Sequence, residues 1–90
     1  MKDTLKPFIG KQVVVDTKSS WLYIGKLETI NSDSVVLANV DVHDNKDFSS
    51  NKERYIAESG KTGIKPNRQK VYINLEYIVS FSPLDDVMSF

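Results

Sequence analysis

Ninety residues with no cysteine and one histidine, carrying 12 Lys and Arg against 12 Asp and Glu, exclude a disulfide framework, thiol chemistry, the usual sulfur-ligated zinc site and a multi-histidine metal centre. The net charge of zero gives no overall pull toward nucleic acid or membranes, and no stretch approaches the roughly 18 apolar residues of a membrane helix. One domain over residues 1–90 is expected; its core is modest for its surface, so association between copies is a natural source of extra stability.

The opening MKDTLKPFIG lacks the apolar core of a signal peptide, which makes the cytoplasm the expected location. Asp3 reads as an N-cap with Pro7 in the first turn, and Gly10 as the end of a short helix. Leu5, Phe8 and Ile9 then share one apolar face that lids a sheet. Residues 12–16 alternate as a half-buried strand, with Val13 and Val15 on one side and Val14 on the other. Residues 17–20 are a polar turn.

Residues 21–40 form the central hairpin, two apolar runs separated by Asn31, Ser32, Asp33 and Ser34. The apolar phase of its first strand slips at Gly25, which predicts a bulge or sharp bend. Val35, Val36 and Leu37 read as buried on both faces, and the strand beyond them as projecting toward water. Trp21, Tyr23 and Tyr77 read as packing residues, the tyrosines half-buried with wet hydroxyls.

Residues 44–68 make an unusually long connection. DNKDFSSNK has turn composition, ERYIAES is read as a short strand pairing near Val42, and GKTGIKPNR as a further turn. Residues 71–81 repeat the hairpin design around Asn74, Leu75 and Glu76, and Pro83 ends the last strand. The expected fold is a mostly β, small bent barrel of five or six antiparallel strands behind a short N-terminal helix.

Charge is unevenly spread. Residues 28–47 carry five acids against Lys46 alone, a local balance of −4, while 61–70 carry Lys61, Lys65, Arg68 and Lys70 without an acid, a balance of +4. These are expected on separate surfaces, the second either a solvated loop or an attractor of phosphate. Asp41 and His43 share a strand face and read as a surface pair rather than a catalytic one. GKTG lacks the full spacing of a phosphate loop. No catalytic residue, metal site or cofactor is expected.

Several segments together resemble the Sm-like proteins, comprising Sm, LSm and the bacterial Hfq group. The helix running into Phe8, Ile9, Gly10 and Lys11 and then Val13–Val15 is similar to the entry into the family's first strand. Residues 23–27 followed by Ile30, Asn31 and 35–39 resemble the first Sm motif, and 71–79 the second. The resemblance implies a strongly bent five-stranded antiparallel sheet, an SH3-type open barrel, with an extended loop or hairpin between strands three and four. It implies a homo-oligomeric ring closed by the fourth strand of one subunit on the fifth of the next, through Val71, Tyr72, Ile73, Ile78, Val79 and Phe81. Unpaired apolar edges give an independent reason for such closure. The alternative is an isolated barrel whose edges the 44–68 segment covers.

By the same resemblance, RNA bases would meet the pore loops at Asn31, Asp33, Ser34 and Asn74. Asn31 stands where the motif has an aspartate, Asp33 or Ser34 where a stacking side chain is usual, and Asn74 and Leu75 where it has Arg-Gly. An atypical site follows, in which Lys61, Lys65, Arg68 and Lys70 are candidate phosphate contacts and Tyr55 and Tyr72 candidate stacking faces. The expected partners are further copies of the chain and single-stranded RNA, with no membrane partner. The function expected is non-enzymatic RNA binding or ribonucleoprotein assembly, the alternative a structural or protein-interaction ring that has lost RNA binding.

Overall fold

A computed structural model describes residues 1–44 and 52–88. Helix α1 (Lys2–Leu5) runs into a 3-10 turn at Lys6–Phe8, followed by strands β1 (Gln12–Thr17), β2 (Trp21–Ile30) and β3 (Ser34–Asp44). Helix α2 (Lys52–Thr62) precedes β4 (Arg68–Asn74), a 3-10 turn at Leu75–Tyr77, β5 (Ile78–Pro83) and a last 3-10 turn at Leu84–Asp86. The strands form one antiparallel sheet in the order β4-β3-β2-β1-β5. The strongly bent five-stranded sheet behind a short helix is therefore as expected.

The bend lies where expected, and its mechanism is visible in the β2–β3 register. Ile24 faces Asp41 and Lys26 faces Ala38, so Asn39 and Val40 together oppose Gly25. Asn39 takes φ 51°, a left-handed conformation that asparagine tolerates better than most residues. A Cβ on Gly25 would lie 3.1 Å from the Ala38 carbonyl oxygen and 3.2 Å from the Val40 Cα, which is why the close approach needs glycine. The extra residue of the bulge thus belongs to β3, while Gly25 supplies the room. A second shift, between Leu27 and Thr29, leaves Glu28 as an extra residue on β2.

Folding the sheet over this bend makes one large core and a smaller one. Leu5, Val13, Val15, Leu27, Val35, Leu37, Val40, Ile73 and Ile78 form the first, with Phe8 and Phe81 edge to face at 5.4 Å beside it. Leu5 lids this core as the sequence predicts, but Ile9 stays 46% exposed and α1 is capped at Met1 rather than Asp3. The second core joins Val14, Leu22 and Ile24 to Ile56 of α2 and to Leu84. β1 is consequently buried on both faces, where alternation had implied one.

Two expectations are corrected here. The segment 53–59 is helical, not a strand, so the connection between β3 and β4 carries a helix rather than a hairpin. Lys, Glu, Arg and Ala in KERYIAESGKT favour a helix, and Ile56 and Ser59, one turn apart, are buried. A serine in the buried stripe hid that period from a hydrophobicity reading. α2 ends at Gly63, whose φ of +90° suits glycine and whose N–H donates to the Ser59 carbonyl at 3.0 Å. The second correction follows from the first: the end of β3 does not project into water, because α2 lies over it and buries His43. The turn-like stretch 45–51 falls outside the described residues.

Gly25→Ala is expected to destabilise the protein by about 1–3 kcal/mol, since backbone atoms and Val40 crowd the new methyl group. A urea-unfolding midpoint equal to that of the wild type would show that the bend does not need glycine.

Candidate functional site

The four pore-loop candidates come together at one end of the sheet. Ser34 pairs with Asn74 across β3 and β4. The Asn31 N–H donates to the Ser34 carbonyl at 2.8 Å, and its Nδ2 donates to Ser34 Oγ at 3.3 Å. The Leu75 N–H donates to the Asp33 carbonyl at 2.9 Å, tying the β2–β3 loop to the turn after β4. Asn74 Oδ1 accepts the Glu76 N–H at 2.9 Å and so caps that turn. Asn31, Asp33 and Asn74 are exposed. What they present is neutral amides and one carboxylate, a surface suited to hydrogen bonding at base edges and without a cation of its own.

The basic candidates do not form a surface apart from the acids. Lys70 Nζ lies 2.8 Å from Glu28 Oε1, and this bond holds the ammonium above its ordinary range. Lys65 borders a small hollow that also contains Asp41 and Glu58. Arg68 Nη1 donates to the Asn67 carbonyl at 3.3 Å and, like Lys61 near the end of α2, is exposed. The sheet has brought the acidic and basic segments alongside each other, where a linear reading separated them.

Of the two candidate stacking faces, Tyr55 is already engaged. Its ring stacks on His43 at 3.7 Å, with 15° between the planes, and its hydroxyl donates to Asp41. Burial, then the bond to Asp41, raises the phenol well above its ordinary range. Asn67, which the sequence reading missed, completes the cluster. Its Oδ1 accepts the Val42 N–H and its Nδ2 donates to the Val42 carbonyl, both at 3.0 Å, while Nδ2 also reaches Asp41 Oδ1 at 3.3 Å. Asp41 and His43 are thus a structural joint between α2 and the sheet. The signal for Asn67 was its place after Pro66 at the start of a strand, which alone does not name a partner.

Tyr72 is the stacking face that remains, 66% exposed on the edge strand β4. Tyr77 and Trp21 are 58% and 42% exposed, not packed as expected, whereas Tyr23 is half-buried against the main core. Tyr23, Tyr72 and Tyr77 line an open cleft of about 350 Å³ with Thr17, Ser19, Ile73 and Asn74. The proposed ring-contact strands sit at the two ends of the sheet order, β4 beside β3 and β5 beside β1. Within them Ile73 and Ile78 are buried, Val71 and Phe81 half-buried, and Val79 is 60% exposed. Val79 is the residue left over where the β1–β5 register shifts between Asp16 and Thr17. Among the described residues no cluster of three or more His, Asp and Glu could hold a metal ion, and no helix is long and apolar enough to cross a membrane.

Two predictions follow from this geometry. Asn74→Ala is expected to cost about 1 kcal/mol through loss of the cap on Glu76; an unchanged urea midpoint would show the cap to be dispensable. For Tyr55, a raised value means that the fold favours the neutral phenol. Its contribution is complete below the ordinary tyrosine value of about 10 and is lost as the pH rises above it. Wild-type stability should therefore fall more steeply than that of Tyr55→Phe above that pH; equal slopes would remove the joint from the stability of the fold.

No protein-family model matches the chain, and no curated protein does. Solved structures do. An Sm protein of Pyrococcus abyssii in complex with a uridine heptamer superposes with a TM-score of 0.60 at 19% identity, over 90% of this chain and 93% of that one. The heptameric SmAP1 of Pyrobaculum aerophilum gives 0.58 at 21% identity, over 90% and 88%. A chain of the NatC complex bound to CoA gives 0.56 at 15% identity, over 86% and 79%. Sheet order, bend and this coverage together establish that the chain has the Sm-like fold.

Proposed function

We propose that this chain, a single domain over residues 1–90, is the subunit of a homo-oligomeric Sm-like ring that binds single-stranded RNA without catalysing a reaction. The observation that carries the reading is the hydrogen-bonded union of the β2–β3 loop with the turn after β4, which gathers Asn31, Asp33, Ser34 and Asn74 on one surface. The open edges of β4 and β5 supply the means of closure: each has backbone groups to pair, and pairing one copy's β4 with the next copy's β5 satisfies both. Neighbours in fold include an Sm protein solved with a uridine heptamer and a heptameric SmAP1. The site is atypical, because base edges would meet amides rather than the charged and flat groups of the family motif. Phosphates would be met by Lys61 and Arg68, with Lys65 and Lys70 shared with neighbouring acids. The proposed place of action is the cytoplasm.

The second reading, a ring or barrel that binds protein, is favoured by the neutrality of the pore-loop residues and by the exposed Tyr72, Tyr77 and Val79. A chain of the NatC complex has a similar fold.

Light scattering should give a mass that is a whole multiple of 10.2 kDa; a monomer at high concentration would overturn the ring. Labelled oligo-U and oligo-A should bind at micromolar concentration or tighter, weakening with salt by a log-log slope of about −0.7 per phosphate contact. No binding at low salt would leave the second reading. If replacing Lys61, Lys65, Arg68 and Lys70 together leaves RNA affinity unchanged, the phosphate assignment fails.

A further inference from the structure

The cleft at the open seam of the barrel shares Asn74 with the pore loops and Tyr72 and Ile73 with the edge strand β4, and it adds to them Thr17, Ser19, Tyr23 and Tyr77. Tyr72 and Tyr77 present their rings to water while Tyr23 and Ile73 form the apolar floor. One wall is preformed: Thr17 Oγ1 donates to the Trp21 carbonyl at 2.9 Å and lies 2.8 Å from Ser19 Oγ, which accepts the Trp21 N–H at 3.1 Å. The Lys18 N–H donates to the Tyr77 carbonyl at 2.9 Å, fixing that wall against the turn that carries Tyr77. Asn74 uses its Oδ1 on the Glu76 N–H, so the group it has to offer the cleft is its Nδ2 donor.

None of the seven lining residues is charged. A nucleic-acid strand would bring a phosphate for every nucleotide against a lining without a cation, Lys70 beside Tyr72 being paired with Glu28, and a charged peptide would lose hydration without compensation. The ligand that matches is neutral, has flat apolar faces for the tyrosine rings, and presents carbonyl acceptors to Tyr hydroxyls and an amide donor. We infer that the cleft binds a proline-rich segment of a partner protein in the polyproline II conformation. Pyrrolidine rings pack on tyrosine faces, proline has no N–H to leave unsatisfied, and the stiff helix loses little entropy on docking. A volume of about 350 Å³ suits a short stretch of such a segment rather than a folded element. Edge pairing at β4 uses backbone groups in the plane of the sheet, and strand side chains stand roughly perpendicular to it, so ring closure by backbone pairing does not by itself consume the Tyr72 ring.

The test is fluorescence anisotropy of a labelled ten-proline peptide on the full chain, with a Gly-Ser peptide of equal length as the comparison. The oligoproline should bind about tenfold more tightly than the Gly-Ser peptide, and Tyr72→Ala and Tyr77→Ala should each weaken it by about tenfold. Its affinity should change little with salt. Tyr77→Phe, which keeps the ring, should retain most of the binding, and circular dichroism of each variant checks the fold. Equal affinity for the two peptides, or full oligoproline binding by Tyr72→Ala, would overturn the assignment. So would a tenfold loss of oligo-A or oligo-U affinity in Tyr72→Ala and Tyr77→Ala, which would make the cleft a base site. Loss of assembly mass in Tyr72→Ala without oligoproline binding by the wild type would instead make it a contact between copies.

Discussion

Everything in this structure depends on how closely β3 can pass Gly25. With Asn39 and Val40 occupying the space opposite one residue, the two strands turn together, and the sheet folds back far enough to enclose a core. A methyl group at position 25 would crowd the Ala38 carbonyl and Val40, which would have to give by a few tenths of an ångström. The bend leaves β4 and β5 at opposite ends of the sheet order, and the tyrosine cleft lies between the end of β4 with its following turn and the β1–β2 segment from Thr17 to Tyr23.

The bend also leaves the far side of β1 and β2 in need of cover. Val14, Leu22 and Ile24 would face water if the sheet had only α1 on it. The chain supplies cover from two distant segments, Ile56 of α2 and Leu84 after β5, which meet there. The His43–Tyr55 stack, with the Tyr55 hydroxyl on Asp41 and Asn67 clamping the adjacent backbone, holds α2 in register over this second core. These groups satisfy one another: the aromatic faces cover apolar surface, and the polar atoms find hydrogen-bond partners where water is limited. The segment read as a short strand is therefore part of a helix, Lys52–Thr62, that serves as a structural layer.

The candidate surfaces differ in their chemistry and share Asn74. The end of the sheet formed by the β2–β3 loop and the turn after β4 offers hydrogen-bonding groups held by backbone bonds, and Lys61 of α2 and Arg68 at the start of β4 are exposed. The cleft offers aromatic faces with no charge. One small barrel thus has a polar end and a neutral aromatic seam, positioned by the same turn at Leu75–Tyr77. That turn bonds to Asp33 on one side and, through Tyr77, to Lys18 on the other.

Local patterning determined a good deal. The phase slip at Gly25, the doubly apolar 35–37 run and the tight break at 74–76 are statements about adjacent residues, and a sheet obeys them because side chains alternate and only glycine admits a close backbone. Those were legible before any contact was known, as was the grouping of Asn31, Asp33, Ser34 and Asn74 by resemblance. The identity of partners across long separations was not. Whether Tyr55 is a free stacking face or half of a joint depends on His43, twelve positions away, and whether Lys70 is a free cation depends on Glu28 across two strands. The helical stripe of α2 was hidden because one of its buried positions is a serine, whose burial is compensated by a hydrogen bond to the Tyr55 carbonyl rather than by hydrophobicity. Sequence therefore determined where the chain bends and turns. Tertiary structure alone decided which polar and aromatic groups satisfy each other and which remain for a ligand, because that is settled by contact in space and not by order along the chain.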